Sequence, residues 1–294
     1  MTLTPLIIAA RRKDLGGFSV SRILPYKKRR MVGPFIFIDE MGPAIMEAGE
    51  RMDVRPHPHI HLATVTYLFE GEMDHRDSLG TFQTIRAGAV KLMTAGKGIV
   101  HSERTPAHLT DQTFTMHGMQ IWIALPQEHE RIAPAFDHYP ATELPVHQEN
   151  GVKKSTLMGQ FWQMESPVKT YSPTVYAALE SEGLHTEELK HLPAELGVYV
   201  VAGAVLYNDE EYAAGQMLVF EPSPEDTLIL HFSPGAKVMF LGGEPLGERH
   251  IWWNFVSSDP DAITQARADW QAGRFPQVPE DPEFIPLPED WQSV

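Results

Sequence analysis

One strand pattern occurs twice in this chain and limits what it can fold into. In the first half, an apolar strand ends at Gly71, and after a polar turn a second glycine, Gly88, opens another apolar strand. Gly203 and Gly215 bound the same arrangement in the second half. Glycine tolerates the backbone conformations that tight connections between short strands require. The repetition therefore predicts a duplicated β-barrel.

The remaining sequence favours an all-β fold class with short helices and a C-terminal helix and tail. The 24 prolines and 22 glycines are spread along all 294 residues, which favours short strands over long helices. Runs rich in β-branched and aromatic residues predict strands at 59–69, 90–93, 99–102, 119–125, 198–203, 216–220 and 237–243. Residues 261–272 predict a helix, with Asp259 or Asp261 near its cap.

These elements predict a chain of two similar domains. We expect an N-terminal metal-binding barrel over residues 1–130 and a crossover over 131–175. A metal-free C-terminal barrel is expected over 176–258, followed by the helix and an acidic, proline-rich tail over 259–294. Such a composition predicts that the tail lies over the surface or is partly disordered.

Composition excludes several classes of function. The chain has no cysteine, which rules out disulfides, thiolate zinc sites, iron–sulfur clusters and cysteine nucleophiles. Its net charge of −15 opposes direct binding to nucleic acid, and the basic residues at 11–13 and 27–30 read as solvated turn residues. No segment is long and apolar enough for a membrane span, and the start is unlike a secretory signal, so we expect a cytoplasmic protein.

Two pairs of potential metal ligands stand out from this background. His57 and His59 form one pair, and His101 and Glu103 form the other, each with i, i+2 spacing in a predicted strand. Residues two apart in a strand project from the same face, so each pair can direct both side chains at one point. If the two strands face each other, three imidazoles and one carboxylate can bind a divalent first-row metal and leave positions open for water, substrate or O₂.

The other histidines give weaker signals. A single histidine among 14 is more often a surface or core residue than a ligand. His61 also lies on the ligand face by parity, but a fifth protein ligand would close the site, so we assign it to packing around the metal. The same caution covers His75 and His117. The histidines of the second half have no i, i+2 pairing and predict no metal there: His185, His191, His231 and His250.

At this point the chain resembles the pirin family, a bicupin branch of the cupins. The resemblance spans nearly the whole chain and is carried by these runs: VGPF (32–35), RPHPHIHLATVTYLFEG (55–71), TAGKGIVHSERTP (94–106), HGMQIWIALP (117–126) and GGEPLG (242–247). It implies two cupin-type β-barrels, of which the N-terminal one holds a single metal, usually iron, through three histidines and a glutamate. The family's ligand positions match His57, His59, His101 and Glu103.

The chain departs from the general cupin motif at one position. That motif carries a carboxylate four residues after its second histidine, where this chain has Ala63. Glu103 supplies the carboxylate instead, as in the pirin branch. The resemblance makes Fe(II) the expected ion, while ligand softness alone also admits Ni, Mn, Cu, Zn and Co.

The resemblance also implies an activity. Some pirins resemble quercetin 2,3-dioxygenases, so we expect an O₂-dependent dioxygenase of quercetin-type flavonols or a related aromatic enol. Glu103 is then a metal ligand and the candidate general base. Four aromatic residues could stack against a flat substrate, although aromatics at strand spacing are more often plain core: Phe35, Phe37, Tyr67 and Trp122.

An alternative function uses the same ligands. The pirin family includes proteins thought to bind transcription factors or metabolic enzymes, so the metal's redox state could set the shape of a surface that a protein partner recognises. A third alternative is a stress-related cupin with a structural metal, which is less expected because structural sites are usually closed. Sequence separates the enzyme from the regulator poorly, because both need the same four residues.

Overall fold

The computed structural model describes residues 3–15 and 18–289, and 54% of these residues are in strands or bridges. Strands β1 to β12 are Leu6–Ala9, Arg11–Asp14, Ser19–Leu24, Phe35–Met46, Asp53–His59, Leu62–Glu70, Glu72–Asp77, Phe82–Arg86, Val90–Thr94, Ile99–Arg104, Phe114–Ala124 and Ala135–Tyr139. Strands β13 to β25 are Val146–Glu149, Val152–Phe161, Met164–Glu165, Thr174–Ser181, His185–Leu189, Glu195–Ala202, Ala204–Tyr207, Glu210–Ala213, Gln216–Phe220, Leu228–Phe232, Ala236–Gly243, His250–Trp252 and Phe255–Ser257. Helix α1 is Pro260–Gln271, and three short 3-10 helices are Ala107–Leu109, Gln127–His129 and Ala141–Glu143.

The strands form two pairs of sheets that repeat one another. A seven-stranded sheet in the order β12-β9-β6-β11-β4-β3-β2 accompanies a four-stranded sheet in the order β5-β10-β7-β8. An eight-stranded sheet runs β1-β21-β18-β23-β16-β14-β13, with β15 beside β14, and accompanies the four-stranded sheet β17-β22-β19-β20. Strands β24 and β25 form a separate two-stranded sheet. The all-β class with two cupin-type barrels, a C-terminal helix and a tail is confirmed.

The chain divides into two compact units that are discontinuous in sequence. The first unit contains Lys13–Val20, Ile38–Ala141 and Gly247–Val294. The second unit contains Met1–Arg12, Ser21–Phe37 and Thr142–Leu246. This differs from the sequential division expected at residues 130, 175 and 258. The reason is that β1 pairs with β21 of the second unit, while helix α1 and the described residues around it join the first unit.

The glycine pattern that opened the sequence argument has the same backbone geometry in both units. Gly71 and Gly88 have φ of 87° and 80°, and Gly203 and Gly215 have φ of 67° and 84°. These values lie in the left-handed region that glycine adopts without steric cost. The amide of Gly88 donates to the carbonyl of Leu68 at 2.8 Å, and the amide of Gly215 donates to the carbonyl three residues before Gly203 at the same distance. The sequence repeat therefore corresponds to the same backbone conformation and the same hydrogen bond in both units.

The two barrels differ in what fills them. In the second unit the buried side chains of strand β22 are Leu228, Leu230 and Phe232, which belong to a large apolar cluster. In the first unit the corresponding strand, β10, which is also the second strand of its four-stranded sheet, buries His101 and Glu103. Burial of polar groups is costly unless they find partners. The interior of the first barrel is thus the one built for polar chemistry.

The C-terminal segment packs against the first barrel. Helix α1 begins after Asp259, whose side chain accepts a hydrogen bond from the amide of Asp261 at 2.9 Å, as the cap position predicts. Its buried Ile263 joins Ile60 and Phe255 in an apolar cluster. Residues 275–289 have no regular structure, yet Val278 and Asp281 are buried, so this part of the expected tail is anchored. Residues 290–294 lie outside the described part.

Two of the basic residues near the start form hydrogen bonds or ion pairs within the second unit. Arg11 stands on strand β2 and donates to the carbonyl of Pro25. Arg29 pairs with Glu195 at 2.7 Å and also with Glu221. The description of these positions as solvated turn residues is therefore wrong for Arg11 and Arg29, because each has a specific acceptor.

Candidate metal centre

The three predicted histidine ligands converge in the first unit. Strands β5 and β10 pair antiparallel, with His101 opposite His57 and Ile99 opposite His59. The register brings the two i, i+2 pairs onto one face, as their spacing predicts. One ligand atom from each of the three histidines lies within 4.8 Å of the others, and all three side chains are buried. Their ring centroids are 4.4 to 5.0 Å apart.

Backbone carbonyls select the ring nitrogen that two of these histidines offer. The Nδ1 of His57 is 2.9 Å from the carbonyl oxygen of Arg55, and the Nδ1 of His59 is 3.0 Å from that of Asn254. A carbonyl can only accept, so both Nδ1 atoms carry the proton and Nε2 keeps its lone pair. A hydrogen bond of this kind is what orients a metal-binding imidazole.

Unpaired nitrogens remain at the centre of the cluster. Within the described residues, the Nε2 of His59 and both ring nitrogens of His101 are buried without a hydrogen-bond partner. Buried polar atoms are rarely left in this state, because it costs free energy. A divalent metal would use the Nε2 lone pair of His59 and one of His101, so the donor set fits the ion that the sequence predicts.

Burial keeps the three imidazoles neutral. Desolvation is the largest influence on each: it lowers the pKa of His57 below 6.5, and it lowers the pKa of His59 and of His101 well below that value. The neighbouring histidines and the ammonium of Lys91 add to the effect. Neutral imidazole is the form that binds a metal, so at pH 7 no proton competes for these lone pairs.

Glu103 stands beside the three histidines with partners of its own. Its Oε1 lies 3.9 Å from the Nδ1 of His101 and 2.8 Å from the Nζ of Lys91. Burial alone would raise the pKa of the Glu103 carboxyl, but the Lys91 ammonium lowers it below the usual 4.5. The group is therefore a carboxylate at neutral pH. Its role as fourth ligand stays a prediction.

Lys91 is a site residue that the sequence reasoning missed. It is fully buried on strand β9, inside the run 90–93 that the sequence predicts as a strand. A charged residue in the middle of an apolar strand was the available signal, because lysine is seldom buried without a partner.

His61 does not project with the ligands. Parity along a continuous strand placed it on the ligand face, but β5 ends at His59 and His61 has a φ of 59°. The left-handed turn breaks the alternation, so the side chain contacts the Oγ of Ser257 at 2.9 Å and the Oε2 of Glu130 at 3.4 Å.

His75 and His117 also have partners of their own. The Nε2 of His75 is 3.0 Å from the Oδ2 of Asp77, and its ring stacks on Phe136. Burial, aided by Lys91, lowers the pKa of His75 to about 4. The Nε2 of His117 is 2.9 Å from the Oε1 of Glu40. Neither joins the three-histidine cluster.

The four aromatic residues proposed to line the site are divided. Phe35 and Phe37 belong to the second unit, where Phe35 contacts Tyr176 with ring centroids 6.1 Å apart. Phe35 and Phe37 therefore do not line the metal barrel, because β4 passes from one unit to the other between residues 37 and 38. Trp122 contacts the ring of His59 edge to face, with centroids 5.0 Å apart.

The C-terminal segment supports the ligand strands from behind, which sequence reasoning also missed. Besides the carbonyl of Asn254 on His59, it supplies Asp281, which accepts from the Oγ of Ser102 at 2.7 Å. The same carboxylate accepts from Arg104 at 2.7 and 3.0 Å. Ser102 and Arg104 alternate with His101 and Glu103 along β10, so Asp281 holds the face of that strand opposite these two candidate ligands.

Comparison with known proteins identifies the family. The family model Pirin matches residues 17–123, and the pirin C-terminal cupin domain matches residues 177–276. A pirin-like protein of Caulobacter vibrioides is 48% identical over 289 residues, which cover 97% of this chain and 99% of that protein. The chain belongs to the pirin family. The resemblance carried by the five sequence runs is thus confirmed.

Solved structures share the fold. A quercetin 2,3-dioxygenase from Acinetobacter baumannii is 34% identical and superposes with a TM-score of 0.89, covering 99% of this chain and 98% of that one. A bacterial pirin from Escherichia coli, solved in complex with nickel(II), has a TM-score of 0.66 over 82% of this chain and all of that one. At 19% identity the second likeness concerns the fold alone.

With the family known, the predictions about the site fall into two groups, those that the structure and comparisons support and those that they do not test. His57, His59 and His101 form a cupin-type candidate site for a divalent metal. The choice of iron, the ligand role of Glu103 and the cytoplasmic location stay predictions. No helix in the described ranges is long and apolar enough to cross a membrane.

Proposed function

We propose that this pirin-family protein is an O₂-dependent dioxygenase that acts on a quercetin-type flavonol or a related aromatic enol. One observation carries the proposal: three buried, neutral imidazoles converge in a chain that superposes over 99% of its length with a quercetin 2,3-dioxygenase. Imidazole sites of this kind, with positions left for other ligands, are typical of catalysis.

The proposed ligands are His57 and His59 through Nε2, His101, and the carboxylate of Glu103. We propose Fe(II) as the ion, with Ni, Mn, Cu, Zn and Co as alternatives. When bound, such an ion supplies Lewis acidity toward a substrate oxygen and a place for O₂ beside it. Both oxygen atoms enter the organic product, and the substrate supplies the electrons, so the reaction needs no separate reductant.

The chain's own contribution is orientation and proton transfer. The carbonyls of Arg55 and Asn254 fix the rings of His57 and His59, so both lone pairs stay aligned on one point. Glu103 is ionised at neutral pH, and we propose that its carboxylate accepts the proton of the substrate's enol hydroxyl. Trp122, 7% exposed and against His59, provides an apolar wall for a planar ring.

Oxygen uptake tests this proposal directly. Protein loaded with Fe(II) should consume O₂ in the presence of quercetin and bleach the near-UV band of the flavonol. His59→Ala removes a central ligand and should abolish both signals. His185→Ala is the matched control, because it removes a histidine from the second barrel, and it should retain them. A metal-replete protein that takes up no O₂ with quercetin or related phenols would contradict the proposal.

The regulatory alternative stays a prediction. It would be favoured by a pull-down that recovers a stoichiometric protein partner with the metal-loaded form and not with the metal-free form. The same two preparations can be used in the O₂ assay, so one purification separates the enzyme from the regulator.

A further inference from the structure

Lys91 is a buried cation placed directly at the candidate metal centre. Its side chain is fully buried, and its Nζ is 2.8 Å from the Oε1 of Glu103, which is itself 7% exposed. Burying an ammonium in a protein interior is costly unless an anion and hydrogen bonds compensate it. The contact with Glu103 is therefore the reason that a lysine can stand at this position.

A second donor reaches the same oxygen. The Nε2 of Gln120 is 3.2 Å from the Oε1 of Glu103. The other end of that amide accepts a hydrogen bond from the Oγ1 of Thr66 at 2.6 Å, which fixes the amide so that its NH₂ group faces the carboxylate. Thr66 lies opposite Lys91 on one side and opposite Gln120 on the other, in the register of three adjacent strands. The two donors are thus held by the sheet.

A carboxylate oxygen has two lone pairs, and both donors use those of Oε1. The oxygen that they leave for a metal is Oε2. We propose that Lys91, together with Gln120, is a positioning residue that restricts Glu103 to binding the metal through a single oxygen. The inference rests on the proposed role of Glu103 as fourth ligand, and it adds the way in which that ligand binds.

The restriction has a consequence for the chemistry of Glu103. If only Oε2 is free, the same oxygen serves as metal ligand and as proton acceptor. Glu103 then performs the two roles at different times, and Lys91 keeps the carboxylate anchored through Oε1 while Oε2 changes partner. A carboxylate without these donors could bind through both oxygens and would have no anchored oxygen.

Cobalt(II) provides a readout that does not depend on turnover. The visible absorption of a Co(II) site weakens as its coordination number rises. In Lys91→Met the Oε1 of Glu103 is released and can join the metal, so the absorption should fall severalfold from the wild-type value. Gln120→Leu removes the second donor without changing the charge, and it should cause a smaller shift in the same direction. This neutral variant keeps the test valid if Lys91→Met folds poorly.

The control uses a similar ion pair in the second barrel. The Nζ of Lys154 lies 2.6 Å from the Oε2 of Glu187, so Lys154→Met removes a partly buried ammonium away from the three histidines. Its Co(II) spectrum should match that of the wild type. Glu103→Gln should change the spectrum, because the anionic ligand is lost.

The outcomes separate this inference from the proposed function. If His59→Ala abolishes Co(II) binding but Lys91→Met and Gln120→Leu both have the wild-type spectrum, the positioning role is wrong and the metal site stands. If Glu103→Gln has the wild-type spectrum, Glu103 is no ligand and the inference falls. If the wild type binds no Co(II), or His59→Ala binds it equally well, the metal function itself fails.

Discussion

At the scale of single residues, burial determines the charge of the first barrel's histidines. His57, His59, His75 and His101 all have a pKa below the ordinary value of 6.5, with desolvation as the largest cause. An unfolded chain exposes the same imidazoles to water, where they accept protons near pH 6.5. The folded state of the metal-free protein is therefore penalised whenever the medium is acidic enough to charge them.

His75 gives this effect a measurable size. Its pKa falls from 6.5 in the unfolded chain to about 4 in the folded one, so between those values only the unfolded state binds the proton. Stability is then lost as the pH falls, by about 2 kcal/mol from about pH 8 to about pH 5. His75→Gln keeps a donor for Asp77 and should flatten the dependence by that amount. Urea unfolding of both metal-free proteins at the two pH values measures the difference, and parallel profiles would refute it.

The candidate ligands could be proposed from the sequence because the geometry within each pair is local. Two residues in a strand determine the direction of an i, i+2 pair, so His57 with His59 and His101 with Glu103 needed no knowledge of the tertiary fold. Lys91 could not be placed in this way, because its proximity to Glu103 depends on the register of β6, β9 and β11. His61 was misplaced by the same local rule, since a left-handed residue interrupts the alternation.

At the scale of elements, strand β10 is held from both faces. One face carries His101 and Glu103, and the other carries Ser102 and Arg104, which donate to Asp281 from the C-terminal segment. Sequence patterns could predict β10 and helix α1, because periodicity and caps are encoded within a few residues. They could not predict that Asp281 contacts a strand 179 residues earlier, because an acidic, proline-rich stretch carries no periodic signal.

The contribution of Asp281 can be separated from that of a neighbouring carboxylate. Asp281 and Glu283 both pair with the Nη2 of Arg104, at 2.7 and 2.8 Å, but their side chains are 6% and 55% exposed. Asp281→Ala should lower the free energy of unfolding by about 1.5–3 kcal/mol, since a buried charged acceptor is lost. Glu283→Ala should cost about 0–1 kcal/mol, because water screens the exposed pair. Equal losses by chemical denaturation would show that burial of Asp281 is unimportant.

At the scale of the whole molecule, the pirin chain contains two barrels and one candidate metal site. The duplication was predictable from the four glycines, since each is required by a left-handed turn. The unit to which each terminal segment belongs could not be predicted, because it depends on tertiary contacts between that segment and a distant sheet. In the second barrel, leucine and phenylalanine occupy the inward positions of β22. Among the residues that the structure describes, the one group of histidines and carboxylates close enough to hold a metal lies in the first barrel.

This asymmetry predicts the stoichiometry and the stabilisation. One divalent ion should bind per chain, and at a free concentration about 100 times the Kd it should raise the free energy of unfolding by about 2.7 kcal/mol. His59→Ala should lose the increase, and His185→Ala should retain it. Metal analysis measures the number of ions bound per chain. Denaturation in the presence and absence of the ion measures the stabilisation. A second bound ion, or loss of the effect in His185→Ala, would contradict the single-site reading.

The exchange of terminal segments has a consequence for biosynthesis. The second barrel needs strand β1, which is synthesised before the rest of its sheet, and the first barrel needs Asn254 and Asp281, which are synthesised long after its ligand-bearing strands. His59 must wait for a carbonyl 195 residues downstream before its ring is oriented. During translation, therefore, the nascent chain carries histidines that are not yet held in place. Metal loading of the finished site is expected to follow the synthesis and docking of Asn254.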